Sequence, residues 1–135
     1  ERLRKRGNEF GTTTGRPRRC GWLDLFVAKY AVEVNGINEI SLTKFDILDK
    51  EKNIQVCVGY SIEGKEMDYF PITEMQYCNP IYETLPGWET DTSKIKKPAD
   101  LPENARRYIK SIEDFLEVPV KRVGVGPRRD QIIEF

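Results

Sequence analysis

The chain has 135 residues, of which 39% are hydrophobic and 10% aromatic, and its 22 basic side chains balance 22 acidic ones. This length suits one domain with a core, and no segment approaches the ~18 consecutive apolar residues of a membrane span. The neutral net charge gives nucleic acid no general attraction. Three cysteines without a Cys-x-x-Cys pair, and the absence of histidine, disfavour a disulfide framework, a zinc site and histidine catalysis. The composition favours a cytoplasmic protein.

Positive charge is concentrated at the start of the chain, where residues 1–22 hold seven basic and two acidic side chains. Within this region, three threonines and three arginines follow Gly11 on one loop, and Gly15 interrupts them. Arginine pairs bidentately with carboxylates and phosphates, threonine adds hydroxyl donors, and glycine permits tight turns. The segment therefore predicts an anion-binding loop.

The first predicted helix follows that loop. Apolar residues recur at helical spacing from Trp22 to Val34, and Gly36 stands where a left-handed cap belongs. We expect free N–H groups at the start of this helix to add to the attraction for anions.

Several strands are predicted after this helix. Residues 39–48 predict a buried strand ending in Thr43-Lys44-Phe45-Asp46, and strict alternation over 54–62 with the turn Glu63-Gly64 predicts a β-hairpin with residues 65–70. Further along, we expect a strand over 80–84, a break over 85–88 and a surface loop over 89–99.

A second helix is predicted from Asp100, as its cap, to just before Val118-Pro119. A strand over 120–125 then leads into Gly124-Val125-Gly126-Pro127, and residues 132–135 predict an edge strand. The order of elements predicts a mixed α/β fold.

Two short motifs indicate a nucleotide. Thr43-Lys44-Phe45-Asp46 at a strand end is similar to the guanine-reading element of GTP-binding proteins, and a carboxylate that accepts two hydrogen bonds from a base discriminates by about 1–3 kcal/mol. The alternative is a solvated charged pair. Gly124-Val125-Gly126 would let backbone approach a base or ribose, or would simply form a tight turn. Likewise, Arg4-Lys5-Arg6 suits either nucleic acid or a solvated helix face.

In their joint order these motifs resemble the C-terminal portion of the adenylosuccinate synthetase family. The resemblance covers nearly all 135 residues, through segments 6–11, 20–24, 42–49, 84–88 and 123–126. Phe45 and Pro17 depart from the residues common in the family. The resemblance implies part of a P-loop GTPase-related fold, with a mostly parallel sheet, helices and a β-hairpin. Residues 1–135 would form one domain, with an aspartate- and IMP-binding loop region over 1–21 and a guanine-nucleotide-binding α/β region over 22–135.

The resemblance also implies a function, the GTP-dependent ligation of IMP and L-aspartate to adenylosuccinate with release of GDP and phosphate, the first committed step from IMP to AMP. GTP would be the co-substrate, Mg²⁺ the metal, and the enzyme a cytoplasmic homodimer without nucleic-acid or membrane partners. The implied aspartate and IMP site consists of Thr12, Thr13, Thr14, Gly15, Arg16, Pro17 and Arg18. The implied GTP site consists of Arg18, Lys44, Phe45, Asp46, Gly124, Val125 and Gly126.

The phosphate chemistry is expected to lie outside this chain. No Gly-x-x-x-x-Gly-Lys-Ser/Thr loop is present and the chain does not begin with methionine. By the resemblance, the phosphate loop, the Mg²⁺ site and the catalytic aspartate and histidine belong to the N-terminal part of the family. We therefore expect a catalytically inactive fragment with no catalytic residue or metal ligand of its own. The alternative is a non-catalytic guanine-nucleotide-binding or RNA-binding module, although the neutral charge disfavours RNA.

Overall fold

A computed structural model describes all residues from Glu1 to Phe135. Seven strands form two small sheets, and these pack with three α-helices around a shared core. In chain order the elements are α1 (Arg2–Arg6), β1 (Leu23–Asp24), α2 (Leu25–Asn35), β2 (Ile40–Leu42), β3 (Asn53–Ile62), β4 (Lys65–Glu66), β5 (Asn79–Pro86), α3 (Glu103–Leu116), β6 (Val120–Gly124) and β7 (Ile132–Glu134).

The first sheet is built around β3. Strand β1 pairs with it in parallel, whereas β4 and β5 pair with it antiparallel. The predicted hairpin is therefore only partly correct, because β4 has two residues and the long partner of β3 is β5. The reason is that Phe70 leaves the sheet to pack on three aromatic rings, those of Phe26, Tyr30 and Tyr60. The predicted strand over 80–84 is confirmed and is longer, since β5 continues to Pro86.

The second sheet has the order β2-β6-β7. Strands β2 and β6 are parallel, with Ile40 opposite Val120 and Leu42 opposite Val123, and β7 is the antiparallel edge strand, as predicted. The predicted strand over 39–48 is too long, because β2 ends at Leu42 and residues 45–48 form a 3-10 turn. Between them, Lys44 takes a left-handed backbone conformation with φ of 57°, which directs the chain out of the sheet.

Helix α2 ends as predicted, at Gly36 with φ of 61°. Its predicted start at Trp22 is wrong, because residues 23–24 form β1 and the helix begins at Leu25. The carboxylate of Asp24 caps it by accepting a hydrogen bond of 2.9 Å from the backbone N–H of Val27.

Helix α3 ends at Leu116, before Val118-Pro119, as predicted. The predicted cap at Asp100 is wrong, because that residue lies in a 3-10 turn over 98–100 and the helix begins three residues later, after Pro102. The buried stripe of α3 joins the core, which includes Ala105, Tyr108, Ile109, Ile112 and Leu116.

The mixed α/β class is confirmed. The expectation of a mostly parallel sheet does not hold within these residues, since two of the five strand pairings, β1 with β3 and β2 with β6, are parallel. None of the helices has both the length and the apolar character needed to cross a membrane.

Candidate functional site

A cleft at one edge of the second sheet brings the two predicted nucleotide motifs together. Because β2 and β6 are parallel, their carboxyl ends meet at the same edge, where residues 43–46 follow one strand and residues 124–127 the other. The cleft encloses about 350 Å³. We call it the base cleft; its lining residues are Arg6, Gly7, Asn8, Lys44, Asp46, Ile47, Gly126 and Pro127.

Asp46 presents a half-buried carboxyl group to the base cleft. Burial raises its pKa above the ordinary value, while a hydrogen bond from its own backbone and the charge of Lys44 act in the opposite direction. A partly desolvated carboxylate forms stronger hydrogen bonds than one in bulk water. This residue is therefore suited to accept hydrogen bonds from a ligand.

The two glycines of the second motif differ in what surrounds them. A Cβ on Gly124 would lie 3.6 Å from the carbonyl oxygen of Leu42, an ordinary contact, whereas one on Gly126 would lie 2.4 Å from the side-chain oxygen of Gln131. Gln131 is buried; its side-chain oxygen accepts a hydrogen bond of 3.1 Å from the backbone N–H of Arg128 within the turn, and its side-chain nitrogen donates to the carbonyl of Ser93 at 3.1 Å. A methyl group at 126 would therefore displace the buried side-chain amide of Gln131, whereas one at 124 would meet only ordinary contacts.

Two of the predicted site residues are core residues. Phe45 is buried and stacks on Trp88 with ring centroids 4.6 Å apart, and Val125 is fully buried. Any contact that either makes with a ligand in the base cleft would therefore involve its backbone.

The predicted anion loop, residues 11–19, is an exposed turn beside a second cavity of about 520 Å³. A bridge between Phe10 and Pro17 closes it, the N–H of Gly11 donates to the carbonyl of Arg16 at 2.8 Å, and Gly15 takes a φ of 64°. The residues that line this cavity are Gly11, Thr14, Arg16, Pro17, Arg18 and Arg19. The turn thus brings three arginine residues to one open space.

The start of α2 carries its own side-chain cap. Asp24 already accepts the hydrogen bond of the Val27 N–H, and the hydroxyl of Tyr60 donates to the same carboxylate. Burial and the neighbouring Asp24 raise the pKa of Tyr60, so that the hydroxyl stays a donor. The cap therefore makes the N–H of Val27 unavailable to an anion, which reduces the contribution predicted for this end of the helix.

Glu9, which is not among the predicted site residues, connects the loop to the base cleft. One carboxylate oxygen pairs with Arg18 at 2.9 Å and the other with Lys44. These two hydrogen bonds, with Lys44 first, lower the pKa of Glu9. One signal was available in the sequence, because Glu9 is the only acidic residue between Arg2 and Arg19.

Three comparisons place this geometry among known proteins. The family model described as adenylosuccinate synthetase matches residues 1–133. The chain belongs to the adenylosuccinate synthetase family. The adenylosuccinate synthetase of Lodderomyces elongisporus is 53% identical over 99% of the chain, and that of Carboxydothermus hydrogenoformans is 52% identical over 98%. The fully ligated adenylosuccinate synthetase of Plasmodium falciparum superposes with a TM-score of 0.94 at 40% identity over 99% of the chain.

The chain spans about a third of the length of these relatives, 32% of the two curated proteins and 33% of the Plasmodium chain. It thus corresponds to one part of an adenylosuccinate synthetase. No group of three or more His, Cys, Asp or Glu side chains in it is arranged to hold a metal ion.

Proposed function

We propose that this chain supplies the base-reading and aspartate-binding parts of an enzyme that ligates IMP and L-aspartate at the expense of GTP. The products are adenylosuccinate, GDP and phosphate. In this proposal Lys44, Phe45 and Asp46 bind the guanine base together with residues 124–126. Residues 12–18 bind the carboxylates of aspartate and the ribose of IMP, and Arg18 lies near the nucleotide phosphates.

The observation that carries the proposal is the parallel pairing of β2 and β6, which places Asp46 and Gly126 in one cleft. A flat ring between the glycine backbone and Lys44 would bring the N1–H and N2–H donors of guanine to the carboxylate of Asp46. Adenine presents no such pair of donors, so the same contact would leave the carboxylate unsatisfied. The cleft therefore supports guanine as the base.

The anion loop supports a second role in the same reaction. Arg16 and Arg18 line one open cavity with the hydroxyl of Thr14, a set of donors suited to carboxylates. These side chains would bind and orient the substrate and neutralise its charge. None of them is placed as a general base, so proton removal and phosphoryl transfer would fall to other residues of the enzyme.

The metal, the partner subunit and the cellular location belong to the proposal as well. Mg²⁺ would support phosphoryl transfer when bound by residues outside this chain. We propose a cytoplasmic homodimer, in keeping with the expected family properties. The 135 residues alone are expected to be inactive, since they contribute binding groups without a phosphate loop.

The test uses the complete protein in which this sequence occurs. Purified with Mg²⁺, it should form adenylosuccinate only when GTP, IMP and L-aspartate are all supplied, and ATP should not replace GTP. Ultraviolet absorbance and chromatography of the products measure the reaction. Equal rates with ATP would contradict the base assignment, and formation of adenylosuccinate by the 135 residues alone would contradict the division of roles.

A further inference from the structure

We propose that Glu9 is a positioning residue that couples the anion loop to the base cleft. The inference deepens the proposed function and rests on it. In this role the two oxygens of one carboxylate hold Arg18 on the loop side and Lys44 on the cleft side. Occupancy of one half of the site then changes the affinity of the other half.

Burial and contacts distinguish Glu9 from an ordinary surface glutamate. Its side chain is 16% exposed, whereas the side chains of Arg18 and Lys44 are 56% and 46% exposed. The anion is therefore sheltered and the two cations reach toward solvent from it. Pairs of exposed charges contribute little, but a sheltered carboxylate shared by two cations fixes both of them in relation to each other.

The three cavities show why this residue is well placed to transmit an effect. A pocket of about 340 Å³ lies between the anion loop and the base cleft, and Glu9 lines it. Arg18 lines both this pocket and the loop cavity, while Lys44 lines both this pocket and the base cleft. Arg18 therefore contacts the loop cavity and the middle pocket, and Lys44 contacts the middle pocket and the base cleft. Glu9, in the middle pocket, pairs with both cations.

Backbone contacts hold the frame independently of the Glu9 side chain. The N–H of Arg18 donates to the carbonyl of Glu9 at 3.0 Å, and the guanidinium of Arg4 donates to the carbonyl of Arg18 at 2.6 Å. The ammonium of Lys44 also donates to the carbonyl of Gly7 at 2.9 Å. A change confined to the carboxylate of Glu9 therefore removes the link between the cations and leaves the loop attached.

The direction of the coupling follows because Arg18 and Lys44 pair with the same carboxylate of Glu9. Without a ligand, Arg18 and Lys44 divide one negative charge between them. When a carboxylate of L-aspartate pairs with Arg18, the carboxylate of Glu9 becomes available to Lys44 alone and holds it more firmly at the base cleft. We therefore expect aspartate to tighten the binding of guanine nucleotide, and nucleotide to tighten the binding of aspartate by the same factor.

The experiment measures the dissociation constant of GDP by titration calorimetry in the complete protein, with IMP present throughout, with and without saturating L-aspartate. In the wild type we expect aspartate to lower this constant by about threefold or more. Glu9→Gln should bring the ratio close to one, and Glu9→Asp should give a ratio in between, because the charge remains but its reach is shorter. Glu33→Gln, an exposed glutamate on α2, is the matched control and should keep the wild-type ratio.

A wild-type ratio of one, or an unchanged ratio in Glu9→Gln, would overturn the inference. If Glu9→Gln does not fold by circular dichroism, Glu9→Asp decides, and a ratio equal to the wild-type value would then reject the coupling. Formation of adenylosuccinate by the wild type is measured separately. An active wild type with unchanged ratios refutes only the role of Glu9, whereas an inactive wild type refutes the proposed function.

Discussion

The carboxylate of Asp49 accepts a hydrogen bond of 2.7 Å from the indole nitrogen of Trp88, and both residues are buried. The same carboxylate accepts hydrogen bonds from the backbone N–H of Thr92 at 2.7 Å and from its hydroxyl. Trp88 in turn stacks on Phe45. This chain of contacts ties the loop after β5 to the turn that presents Asp46.

Asp49→Ala should therefore destabilise the fold strongly. The substitution leaves the donors of Trp88 and Thr92 buried without partners, at about 1–3 kcal/mol for each unsatisfied group, so we expect a loss of roughly 3 kcal/mol. Urea unfolding of the complete protein measures it. Asp68→Ala, at an exposed position, is the control and should change the free energy of unfolding by less than about 0.5 kcal/mol. Similar values for both variants would show that the Asp49 network contributes little.

Asp46→Asn should change the choice of nucleotide. An amide presents one donor and one acceptor where the carboxylate presents two acceptors, which suits the C2 carbonyl and N1–H of xanthine. Xanthosine triphosphate should then replace GTP as phosphate donor, and the steady-state rate with GTP should fall by about tenfold or more. Steady-state rates with both nucleotides measure the exchange. Unchanged use of GTP, with no gain for the xanthine nucleotide, would remove Asp46 from base recognition.

Arg16→Leu should impair aspartate binding or turnover. The substitution removes the guanidinium but retains much of the aliphatic stem, so we expect the KM for aspartate to rise, or kcat to fall, by about tenfold or more. The KM for GTP should change less. Arg129→Leu, an exposed arginine outside the loop, is the matched control. If both variants behave like the wild type, the carboxylate-binding role of Arg16 is wrong.

Alanine at Gly124 and at Gly126, the two glycines of the second motif, should have unequal effects. Gly126→Ala would force the side chain of Gln131 away and weaken its hydrogen bond to Ser93, so we expect lower affinity for GDP, whereas Gly124→Ala meets only ordinary contacts. Calorimetry with GDP measures both variants, and urea unfolding checks their stability. Equal losses of affinity would argue against packing by Gln131 as the reason for glycine at 126.

Glu51 should make the fold sensitive to acid. This buried carboxylate pairs with Arg2 at 2.7 Å and with Arg6 at 3.0 Å, and these bonds, with that of Arg2 the largest, lower its pKa below the ordinary value of 4.5. A lowered pKa in the folded state gives stability that is present above the ordinary value and lost as pH falls through the folded one.

The expected result is that wild type and Glu51→Gln differ most near neutral pH. The difference in their urea midpoints should shrink between about pH 5 and about pH 3, because protonation removes the charge that the substitution also removes. Glu33→Gln serves as the control and should follow the wild type at every pH. A difference that stays constant down to the lowest pH would show that the arginine pairs do not stabilise the carboxylate.

Local signals in the sequence were sufficient to predict the C-terminal ends of α2 and α3. Gly36 and the segment before Pro119 end α2 and α3 where they were predicted, because a left-handed cap and a proline act through their immediate neighbours. The motif around Asp46 was also predicted at a strand end, and in the structure it directly follows β2. Features that depend on a few adjacent residues can be predicted from the sequence.

Features that depend on contacts between residues far apart in the sequence could not be predicted. Alternation in β3 indicated a strand but not that β5, rather than residues 65–70, would be its long partner, because the choice depends on where Phe70 packs. Phe45 was predicted as a ligand-binding residue of the motif over 43–46, but its ring is buried in the core and stacks on Trp88. Glu9 needed the position of Lys44, which only the folded chain supplies.

The parallel register of β2 and β6 joins residues about 80 positions apart, as in the pair Ile40 and Val120. A nascent chain that has exposed Asp46 but not yet Gly126 contains the Asp46 carboxylate without the other strand end that lines the same cleft. Guanine binding would then report that the last strands have paired, and a nucleotide in solution would stabilise the finished fold over every shorter intermediate. Under the proposed function, ligand binding at this edge would therefore depend on the pairing of strands formed late in synthesis.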